Sequence, residues 1–494
     1  MKASQRQIKI YDTWKNTDHN LLIQAVAGSG KTTTLMHLLS LCEYRTLFLA
    51  FNKSIQEEIT SKIEKADMQH AKALTLHSLG LSSIRYDKRK VIIDSSKNYK
   101  LLKHLQEYEA DAFSNLSIEE KVRLKFTLMD MNDVSRIFVT DDVPEIIGHM
   151  RNMDKSVFEH PSLSELWDTL KLLRRDMEDQ GIIDYTDMIY IPVRDNLLIP
   201  IQPYYLFVDE AQDLNLAQHK MIDNLINQGD VSKWIAVGDR NQSIYGFSGA
   251  FGASFDLFAE KNNVVSLPLD VNYRCPQRVV KEANKVYDVM VGHKDYEGVV
   301  STLVDYSLIK PGSLVICRNT SPLVELYFRL LSEDKSVVIK GEDIYGSLVR
   351  FLSPYRNKTV RQTEVAIERD IFRLEKKIKK SEDENIRLYR MKENFKNFSL
   401  LSGHLAQSYE KISDVLERIK ITLEQTGGEE SIVLCTIHKA KGLEADFVYI
   451  LNEDLIPSKF AKSAMQLEQE TNLKYVARTR AKEEMYYLNI KFDE

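Results

Sequence analysis

The sequence predicts an α/β protein with two parallel-sheet cores, each interrupted by a mainly helical insertion. Apolar runs of strand length alternate with helical patterns in three blocks of the chain, and strands that alternate with helices indicate a parallel sheet. Two long charged stretches with helical spacing separate these blocks. The 494 residues leave room for this arrangement, since a domain takes about 150 residues.

The first core is predicted from residues 1–80 and 186–270, with residues 81–185 as its helical insertion. The helical pattern TTTLMHLLSLC follows the first apolar run, and residues 54–65 form an amphipathic pattern with isoleucine at every fourth position. The insertion is charged and contains few runs of strand length. The predicted strands are LLIQA (21–25), RTLFLAF (45–51), YYLFVDEA (204–211), WIAVGD (234–239) and VVSLPL (264–269).

The second core is predicted from residues 271–349 and 429–494, with residues 350–428 as a short charged helical insertion. Its predicted strands are GSLVICR (312–318), KSVVIKG (335–341), SIVLCT (431–436) and FVYIL (447–451). In the insertion, apolar residues at helical spacing predict one seam on each of two helices. These residues are Ile367, Ile371, Leu374 and Ile378 for the first helix, and Met391, Phe395 and Phe398 for the second.

The second insertion carries most of its charge over residues 356–398. This segment contains 13 Lys or Arg and 8 Asp or Glu, a local net charge of +5 in a chain whose net charge is −5. Two interpretations stay open at this point. The segment is either a solvated helical face or a surface that contacts a nucleic-acid duplex or a partner protein.

Overall composition excludes several classes of protein. The 67 Lys and Arg are outnumbered by 72 Asp and Glu, so a globally basic nucleic-acid-binding surface is excluded, whereas a local basic groove is not. The four cysteines show no metal-ligand spacing and argue against a zinc module and a disulfide framework. The polar N-terminus is unlike a signal peptide, and no apolar stretch approaches 18 residues. We expect a cytoplasmic protein, nucleoid-associated or phage-encoded, that is neither secreted nor membrane-bound.

The segment AVAGSGKTT predicts a nucleotide site, because it follows a strand and opens a helix. Ala25 stands where the general phosphate-loop pattern has its first glycine, but the remainder of that pattern is intact. Gly28 and Gly30 let backbone amides face phosphates, and Lys31 neutralises the charge of the β- and γ-phosphates. Thr32 offers its hydroxyl to Mg²⁺. The expected ATP contacts are Ala27, Gly28, Ser29, Gly30, Lys31, Thr32 and Thr33.

The segment LFVDEAQD (206–213) predicts the catalytic carboxylates. Acidic residues at the end of a buried strand need a reason, since burying a charge is costly. With a phosphate loop in the same chain, Asp209 is expected to hold the Mg²⁺ water shell. Glu210 is expected to orient or deprotonate the attacking water.

Eight motifs together resemble the superfamily 1 DNA helicases of the UvrD/Rep/PcrA type. The resemblance covers both cores, which implies that they are RecA-like motor domains, and it is nearest to the F-box DNA helicase branch. We expect neither an F-box nor a nuclease domain. The motifs are AVAGSGKTT, AFNKS, TLHSLG, VDEAQD, VGDRNQSIYGFSGA, NYRCP, TIHKAKGLEAD and YVARTRAK.

The resemblance implies further nucleotide contacts from the first core. Gln7 is expected to read the adenine edge, with Gln5 as the alternative. Gln212 and Gln242 are expected to sense the γ-phosphate and to link the nucleotide to DNA.

The resemblance also implies nucleotide contacts from the second core. Tyr273 would stack on adenine, Arg274 and Arg480 would contact the γ-phosphate, and Glu444 would contact the ribose. An arginine in such a position accelerates phosphoryl transfer by about 10³–10⁵. ATP bound between Lys31 and Arg480 would then attract the two cores to each other, and hydrolysis would remove that attraction.

A DNA track is implied by aromatic and polar residues in the remaining motifs, since single-strand motors combine phosphate contacts with stacking. Core packing is the alternative for the aromatic residues, and buried structural histidines are the alternative for the histidines. Ser248 stands where the family commonly has arginine, so one charged contact is expected to be missing. The expected strand contacts are Phe51, Asn52, His77, Tyr245, Phe247, Thr436 and His438.

The resemblance therefore implies an ATP- and Mg²⁺-dependent single-stranded DNA translocase and helicase, moving 3′ to 5′. Its expected partners are single strands, single-strand/duplex junctions and a protein that loads it, and the chain is expected to be monomeric. Two alternatives are a translocase that strips proteins from DNA without unwinding, and an ATP-switch subunit of a larger complex.

Overall fold

A computed structural model describes residues 3–153, 155–229, 231–246, 249–250, 254–376, 382–425 and 427–492. The chain forms two compact units, residues 1–271 and 272–494. Each unit contains one six-stranded sheet in which all neighbouring strands are parallel. This confirms the predicted fold class. No helix in the part of the chain that the structure describes is long and apolar enough to cross a membrane.

The first sheet has the strand order β3-β2-β6-β7-β1-β8. Its strands are β1 (Asn20–Ala25), β2 (Thr46–Ala50), β3 (Ala71–Thr75), β6 (Tyr205–Val208), β7 (Lys233–Gly238) and β8 (Val264–Leu269). The helices around it are α1 (Gln5–Asn16), α2 (Lys31–Ser40), α3 (Lys53–Lys65), α4 (Leu76–Tyr86), α10 (Asp187–Arg194), α11 (Leu216–Asn227) and α12 (Ser254–Ala259).

Side chains of this sheet alternate between two apolar layers. Leu21 and Ile23 of β1 pack with α1, α2 and α3, whereas Leu22 between them packs with α4, α10, α11 and α12. A strand that is buried on both faces has a continuous run of apolar residues, and LLIQA is such a run. Because β1, β6 and β7 are parallel neighbours, the segments that follow them emerge at one edge of the sheet.

The insertion of the first unit has its own apolar core, built around Trp167, which is fully buried. Arg136, also fully buried, donates to Asp184 and Asp187, so ion pairs join the insertion to the segment that returns to the sheet. Its elements are β4 (Ile92–Ile93), α5 (Lys97–Tyr108), α6 (Ala110–Ser114), α7 (Ile118–Phe138), α8 (Val143–Asn152), α9 (Leu163–Asp179) and β5 (Ile182–Ile183).

The second sheet has the strand order β11-β16-β15-β12-β14-β13. Its strands are β11 (Val299–Leu303), β12 (Leu314–Cys317), β13 (Val337–Ile339), β14 (Ile432–Thr436), β15 (Ala445–Leu451) and β16 (Ala481–Leu488). The remaining elements outside the insertion are β9 (Val271–Asn272), β10 (Val291–Gly292), α13 (Gln277–Asn284), α14 (Ser321–Ser332), α19 (Ile437–Ala440) and α20 (Ala464–Arg478).

The second insertion shares one apolar core with the sheet of its unit. Val315 and Leu434 of the sheet belong to the same buried cluster as Ile367, Phe398 and Val415 of the insertion. Of the two predicted helical seams, Ile378 lies outside the described residues, and the other members are buried or packed against this cluster. The helices of the insertion are α16 (Val360–Glu375), α17 (Glu382–Leu405) and α18 (Ile412–Leu423), and α15 (Glu342–Leu352) leads into them.

Candidate functional site

The loop between β1 and α2 has the geometry of an anion cradle. Gly28 and Gly30 have φ angles of 65° and 78°, a left-handed conformation that favours glycine. Gly30 is the N-cap of α2, and no side chain caps the helix, so backbone amides at its N-terminus face outward for an anion. The Ser29 hydroxyl is buried and has no hydrogen-bond partner among the residues described. A bound phosphate would satisfy these groups.

The other predicted loop residues surround this cradle. Ala27 is buried, Thr32 is half-buried and Thr33 is exposed. Thr34 donates from its hydroxyl to the Gly30 carbonyl at 3.0 Å, which fixes the first turn of α2.

The Lys31 ammonium is held by Glu210, the predicted general base. Lys31 Nζ lies 2.7 Å from Glu210 Oε1. Burial favours the neutral amine, but the nearby carboxylates of Glu210, Asp209 and Asp239 outweigh burial and raise the pKa of Lys31. In this arrangement Lys31 and Glu210 neutralise each other, so an incoming γ-phosphate would compete with Glu210 for the ammonium.

Asp209 is a carboxylate that resists ionisation. It is buried at the end of β6, and burial together with the Glu210 charge raises the pKa of Asp209 to about 7. A divalent cation would favour the charged form, so Asp209 and the Thr32 hydroxyl suit a hard, oxygen-preferring ion. Over the described chain no cluster of three or more His, Cys, Asp or Glu forms a metal site.

Gln212 links the acid to the neighbouring strand end. Its Nε2 donates to Glu210 Oε2 at 2.6 Å, and its Oε1 accepts from the Asp239 backbone amide at 3.0 Å. A Cβ at Gly238 would lie 2.3 Å from Gln212 Oε1. Glycine at position 238 therefore makes room for this link.

Gln242 continues the same series of contacts. Its Nε2 donates to Asp239 Oδ2 at 2.6 Å, and burial raises the pKa of Asp239. Three residues later, the Tyr245 ring stacks on Phe51, with centroids 5.9 Å apart and planes at 13°. A series of contacts thus runs from Lys31 through Glu210, Gln212 and Asp239 to Gln242. The segment that contains Gln242 also carries Tyr245, one ring of the stacked pair.

The remaining strand candidates of the first unit lie at helix starts. Asn52 is the N-cap of α3 and accepts from the Ile55 amide at 2.9 Å, so its side chain already has a structural role. His77 is the second residue of α4, and burial lowers its pKa. Phe247 and Ser248 lie outside the described residues.

Gln7 lies beside the phosphate loop. It is buried, its Nε2 donates to Thr34 Oγ1 at 3.0 Å, and its Oε1 accepts from the Ser4 amide at 2.9 Å. Gln5, the alternative, is exposed. The amide of Gln7 retains a second N–H and a second lone pair for a purine edge.

In the second unit, Arg274 and Glu444 form an ion pair. Arg274 Nε lies 2.6 Å from Glu444 Oε2, and Arg274 Nη1 donates to the Thr479 carbonyl at 3.1 Å. Lys482 Nζ lies 3.1 Å from the other carboxylate oxygen. Burial alone would raise the pKa of Glu444, but Arg274 and Lys482 outweigh it and lower that pKa.

Arg480 is held differently from Arg274. It is 1% exposed, and its guanidinium donates to the Val476 carbonyl at 2.9 Å and to the Thr479 hydroxyl at 2.9 Å. Tyr273 is half-buried, and its ring centroid lies 4.6 Å from that of the exposed His293. Arg274 is the less buried of the two arginines.

Thr436 and His438 lie where β14 passes into α19. The Thr436 hydroxyl accepts from the Lys439 amide at 3.4 Å and caps α19. Burial, with a contribution from the nearby Arg318 charge, lowers the pKa of His438 to about 3. His438 is therefore neutral at physiological pH and would meet a strand through hydrogen bonds rather than charge.

Three groups of the site were missed from sequence: Asp239, Gly238 and the pair of Arg318 with Glu470. Arg318 donates twice to Glu470, with Nη2 2.6 Å and Nε 3.0 Å from Oε1. Asp239 stands at the end of the apolar run WIAVGD, which is the same pattern that predicts a role for Asp209. No local pattern marked the other two.

Two family models match the chain. The UvrD/REP helicase N-terminal domain matches residues 5–263, and the UvrD-like helicase C-terminal domain matches residues 331–491. The first model alone spans more than half of the chain.

Curated relatives agree with the family models. The chain is 22% identical over 628 aligned positions to the ATP-dependent DNA helicase PcrA of Bacillus subtilis, covering 97% of this chain and 82% of that protein. It is 27% identical over 289 positions to the ATP-dependent DNA helicase Rep of Buchnera aphidicola subsp. Baizongia pistaciae, covering 53% and 40%. A match to PcrA of Staphylococcus epidermidis covers 55% of this chain and 38% of that relative.

Proposed function

The chain belongs to the UvrD/REP helicase family, and on this premise we propose that it is an ATP-hydrolysing DNA helicase that moves along single-stranded DNA. The observation that supports this function best is the series of contacts from Lys31 through Glu210, Gln212 and Asp239 to Gln242. It joins the phosphate loop to the segment that carries Tyr245. A nucleotide-dependent change at one end therefore has a physical route to an aromatic pair at the other.

We propose that ATP acts on this series through Lys31. The γ-phosphate competes for the ammonium that Glu210 now holds at 2.7 Å. Glu210, released from Lys31 but still bonded to Gln212, then orients the attacking water and accepts its proton. Gln212 and Gln242 transmit the resulting shift, because both are bonded to Asp239.

Mg²⁺ is proposed to be held by Thr32 and by the water shell at Asp209. When bound, the ion neutralises charge on the phosphates during transfer. Asp209 contributes a carboxylate whose charged form a nearby cation would favour, since burial and the Glu210 charge raise its pKa to about 7.

The second unit supplies the proposed contacts to the base, the ribose and the γ-phosphate. We assign the base to Tyr273, with Gln7 of the first unit at its edge. We assign the ribose to Glu444 and the γ-phosphate to Arg274 and Arg480. Arg274 is bonded to a carboxylate that Lys482 also holds, so it can turn to a phosphate without leaving Glu444 unpaired.

The track is proposed to consist of the remaining motif residues. The stacked rings of Phe51 and Tyr245, together with Phe247, are proposed to offer aromatic faces to bases. Asn52, His77, Thr436 and His438 are proposed to offer polar contacts. Movement is proposed to run 3′ to 5′ on single strands and on their junctions with duplex. The chain is proposed to work as a monomer in the cytoplasm, with a loading protein as its partner.

The test is ATP hydrolysis with and without single-stranded DNA, on wild type, Glu210→Gln and the control Glu57→Gln. Glu57 is exposed on α3 and pairs with Lys53, so its replacement removes a carboxylate far from the loop chemistry. We expect DNA to stimulate wild type and the control strongly, and Glu210→Gln to lose turnover. Turnover that DNA does not stimulate would contradict the motor and favour an ATP-switch subunit.

Wild-type strand separation is then measured on a forked duplex and compared with displacement of a protein bound to a single strand. Unwinding of the fork supports the helicase. Displacement without unwinding would reduce the proposal to a translocase that strips proteins from DNA.

A further inference from the structure

A cavity of about 420 Å³ in the second unit is lined by residues that lie outside the eight motifs. It lies between helix α17 of the insertion and the loop that joins β15 to α20. Its volume is within the range of pockets that bind small organic groups. It is lined by Asn385, Leu388, Tyr389, Lys392, Lys459, Phe460 and Lys462.

Two aromatic rings form one wall of this pocket. The centroids of Tyr389 and Phe460 are 4.8 Å apart, with planes at 53°. The Tyr389 hydroxyl accepts a hydrogen bond from Asn319 Nδ2 at 2.6 Å, which anchors the ring to the loop after β12. Lys459 Nζ lies 4.4 Å from the Tyr389 centroid and 5.2 Å from the Phe460 centroid.

Every charged residue that lines the pocket is a lysine. Lys392 pairs with Glu375 at 2.5 Å. Within the described part of the chain, Lys459 has no carboxylate in ion-pair distance, and its ammonium lies against the rings instead. Aromatic faces beside lysines favour a ligand that is both planar and anionic, and a nucleotide has both properties.

The pocket is also tied to residues already proposed for the DNA track. The Ser458 amide, next to Lys459, donates to Glu470 Oε2 at 3.0 Å, and Glu470 holds Arg318. The charge of Arg318 in turn acts on His438. The loop and His438 therefore share one network.

We propose that this pocket holds one nucleotide of a single strand, with its base against Phe460 and Tyr389 and its phosphate near Lys459. The inference rests on the proposed function, because the strand is the substrate of the motor. It goes further in giving helix α17 of the insertion a direct contact with that strand.

The chain offers a matched control for the test. Phe372 is 54% exposed on α16 of the same insertion, and Lys376 Nζ lies 4.3 Å from its ring centroid. Phe372 and Lys376 thus reproduce the phenylalanine–lysine contact outside the pocket. Binding of fluorescent (dT)20 is measured for Phe460→Ala and Phe372→Ala. We expect about tenfold weaker binding for Phe460→Ala, because a base loses an aromatic stacking partner, and unchanged binding for Phe372→Ala.

The lysine is tested through salt dependence, which a purely structural residue would not alter. A phosphate contact to a single strand contributes about 0.7 to the slope of log affinity against log salt. Lys459→Ala should reduce that slope by about this amount, and Lys376→Ala should leave it unchanged. Phe460→Tyr should restore the binding lost in Phe460→Ala, because it retains an aromatic face.

The results separate this inference from the proposed function. A wild-type protein that fails to bind (dT)20 would overturn both. Normal wild-type binding and DNA-stimulated hydrolysis, with Phe460→Ala and Lys459→Ala equal to their controls, would overturn the pocket alone. The same variants tested on (rU)20 show whether the pocket accepts RNA, and a loss confined to RNA would assign it to that strand instead.

Discussion

Lys31 is the residue on which the electrostatics of the nucleotide site depend most. Its ammonium faces the carboxylates of Glu210, Asp209 and Asp239, which raise its pKa despite burial. The same ammonium is the group that would neutralise phosphate charge. One cation therefore stabilises three acids without nucleotide and would transfer part of that interaction to ATP when nucleotide binds.

Lys31→Ala should abolish ATP hydrolysis while the fold remains intact. Phosphate charge would have no cation in the loop, whereas the packing of α2 rests on Leu35, Leu38 and Leu39, which are fully buried. The measurement is DNA-stimulated turnover, with circular dichroism to check the fold. Lys53→Ala, at an exposed end of α3, should hydrolyse ATP normally. A Lys31→Ala protein with the wild-type rate would remove this nucleotide site.

At the same scale, the buried His219 makes the free energy of unfolding depend on pH. It is 1% exposed, its Nε2 lies 2.7 Å from Ser254 Oγ, and that hydroxyl donates to the Ala211 carbonyl. Nε2 is therefore the donor in its hydrogen bond with Ser254. Burial, and to a smaller extent the charge of Lys261, lower the pKa of His219 to about 4.

We expect the free energy of unfolding to fall as the pH drops from about 6.5 towards 4, because the unfolded chain binds a proton there that the folded chain refuses. Between pH 7.5 and 5 the contribution of His219 is about 2 kcal/mol. Urea unfolding at both pH values should show a smaller loss for His219→Gln than for wild type. The exposed His104→Gln is the control, and equal losses for wild type and His219→Gln would refute the assignment.

Single residues differed in how far sequence could predict them. Lys31, Asp209 and Glu210 followed from residue type and from their place after a strand. Arg274 and Arg480 did not, since nothing local separates them from the other basic residues, and only the family resemblance selected them. The need for glycine at position 238 could not be predicted, because it comes from the Gln212 side chain, which belongs to another segment.

At the scale of elements, nine of the twelve strands in the two six-stranded sheets were predicted and three were missed. The nine apolar runs coincide with β1, β2, β6, β7 and β8 of the first sheet and β12, β13, β14 and β15 of the second. The missed β3 and β11 lie at sheet edges, where a strand need not be apolar on both faces. The missed β16 contains AKEEM, whose charged residues gave no strand pattern.

The two insertions differ as elements in a way that sequence did not reveal. The first has a separate apolar core around Trp167, whereas α16, α17 and α18 of the second pack into the core of the sheet beside them. The helical spacing of apolar residues predicted that these helices have apolar faces. It did not predict which part of the protein packs against those faces. We infer that the second insertion and its sheet unfold together.

Phe398→Ala should destabilise the whole second unit by about 3–5 kcal/mol, because this fully buried ring lies in the shared core. Hydrogen exchange should accelerate in strands β12 and β14 as well as in α17. The exposed Phe372→Ala should change the free energy of unfolding by no more than about 0.5 kcal/mol. Faster exchange confined to α16–α18, with the strands still protected, would mean that the insertion is an independent domain.

At the scale of the whole molecule, the proposed chemistry draws on both units. The first holds the phosphate loop and the acids, and the second holds Arg274, Arg480, Tyr273 and Glu444. A ligand moves a conformational equilibrium only if it binds two states with different affinity. ATP that needs groups from both units would have such a difference, and hydrolysis would remove it. The proposed movement on DNA follows from this dependence.

Arg274→Ala tests that dependence directly. Removal of Arg274 leaves Glu444 paired with Lys482 at 3.1 Å, so no carboxylate loses its only cation and the second unit should stay folded. Because the first unit retains the loop, Lys31 and Glu210, ATP should still bind. Turnover should fall by about 10³–10⁵, the loss expected when positive charge is withdrawn from the transferring phosphoryl group.

The matched control is Arg278→Ala, four residues along the chain. Arg278 is exposed on α13 and pairs with Glu297. Its replacement therefore removes the same charge from the same unit, but away from Glu444. Single-turnover hydrolysis and ATP affinity are measured for both variants. If Arg274→Ala turned over within tenfold of the control, the first unit would be sufficient for hydrolysis. The movement of the motor would then require another source of coupling than a shared γ-phosphate.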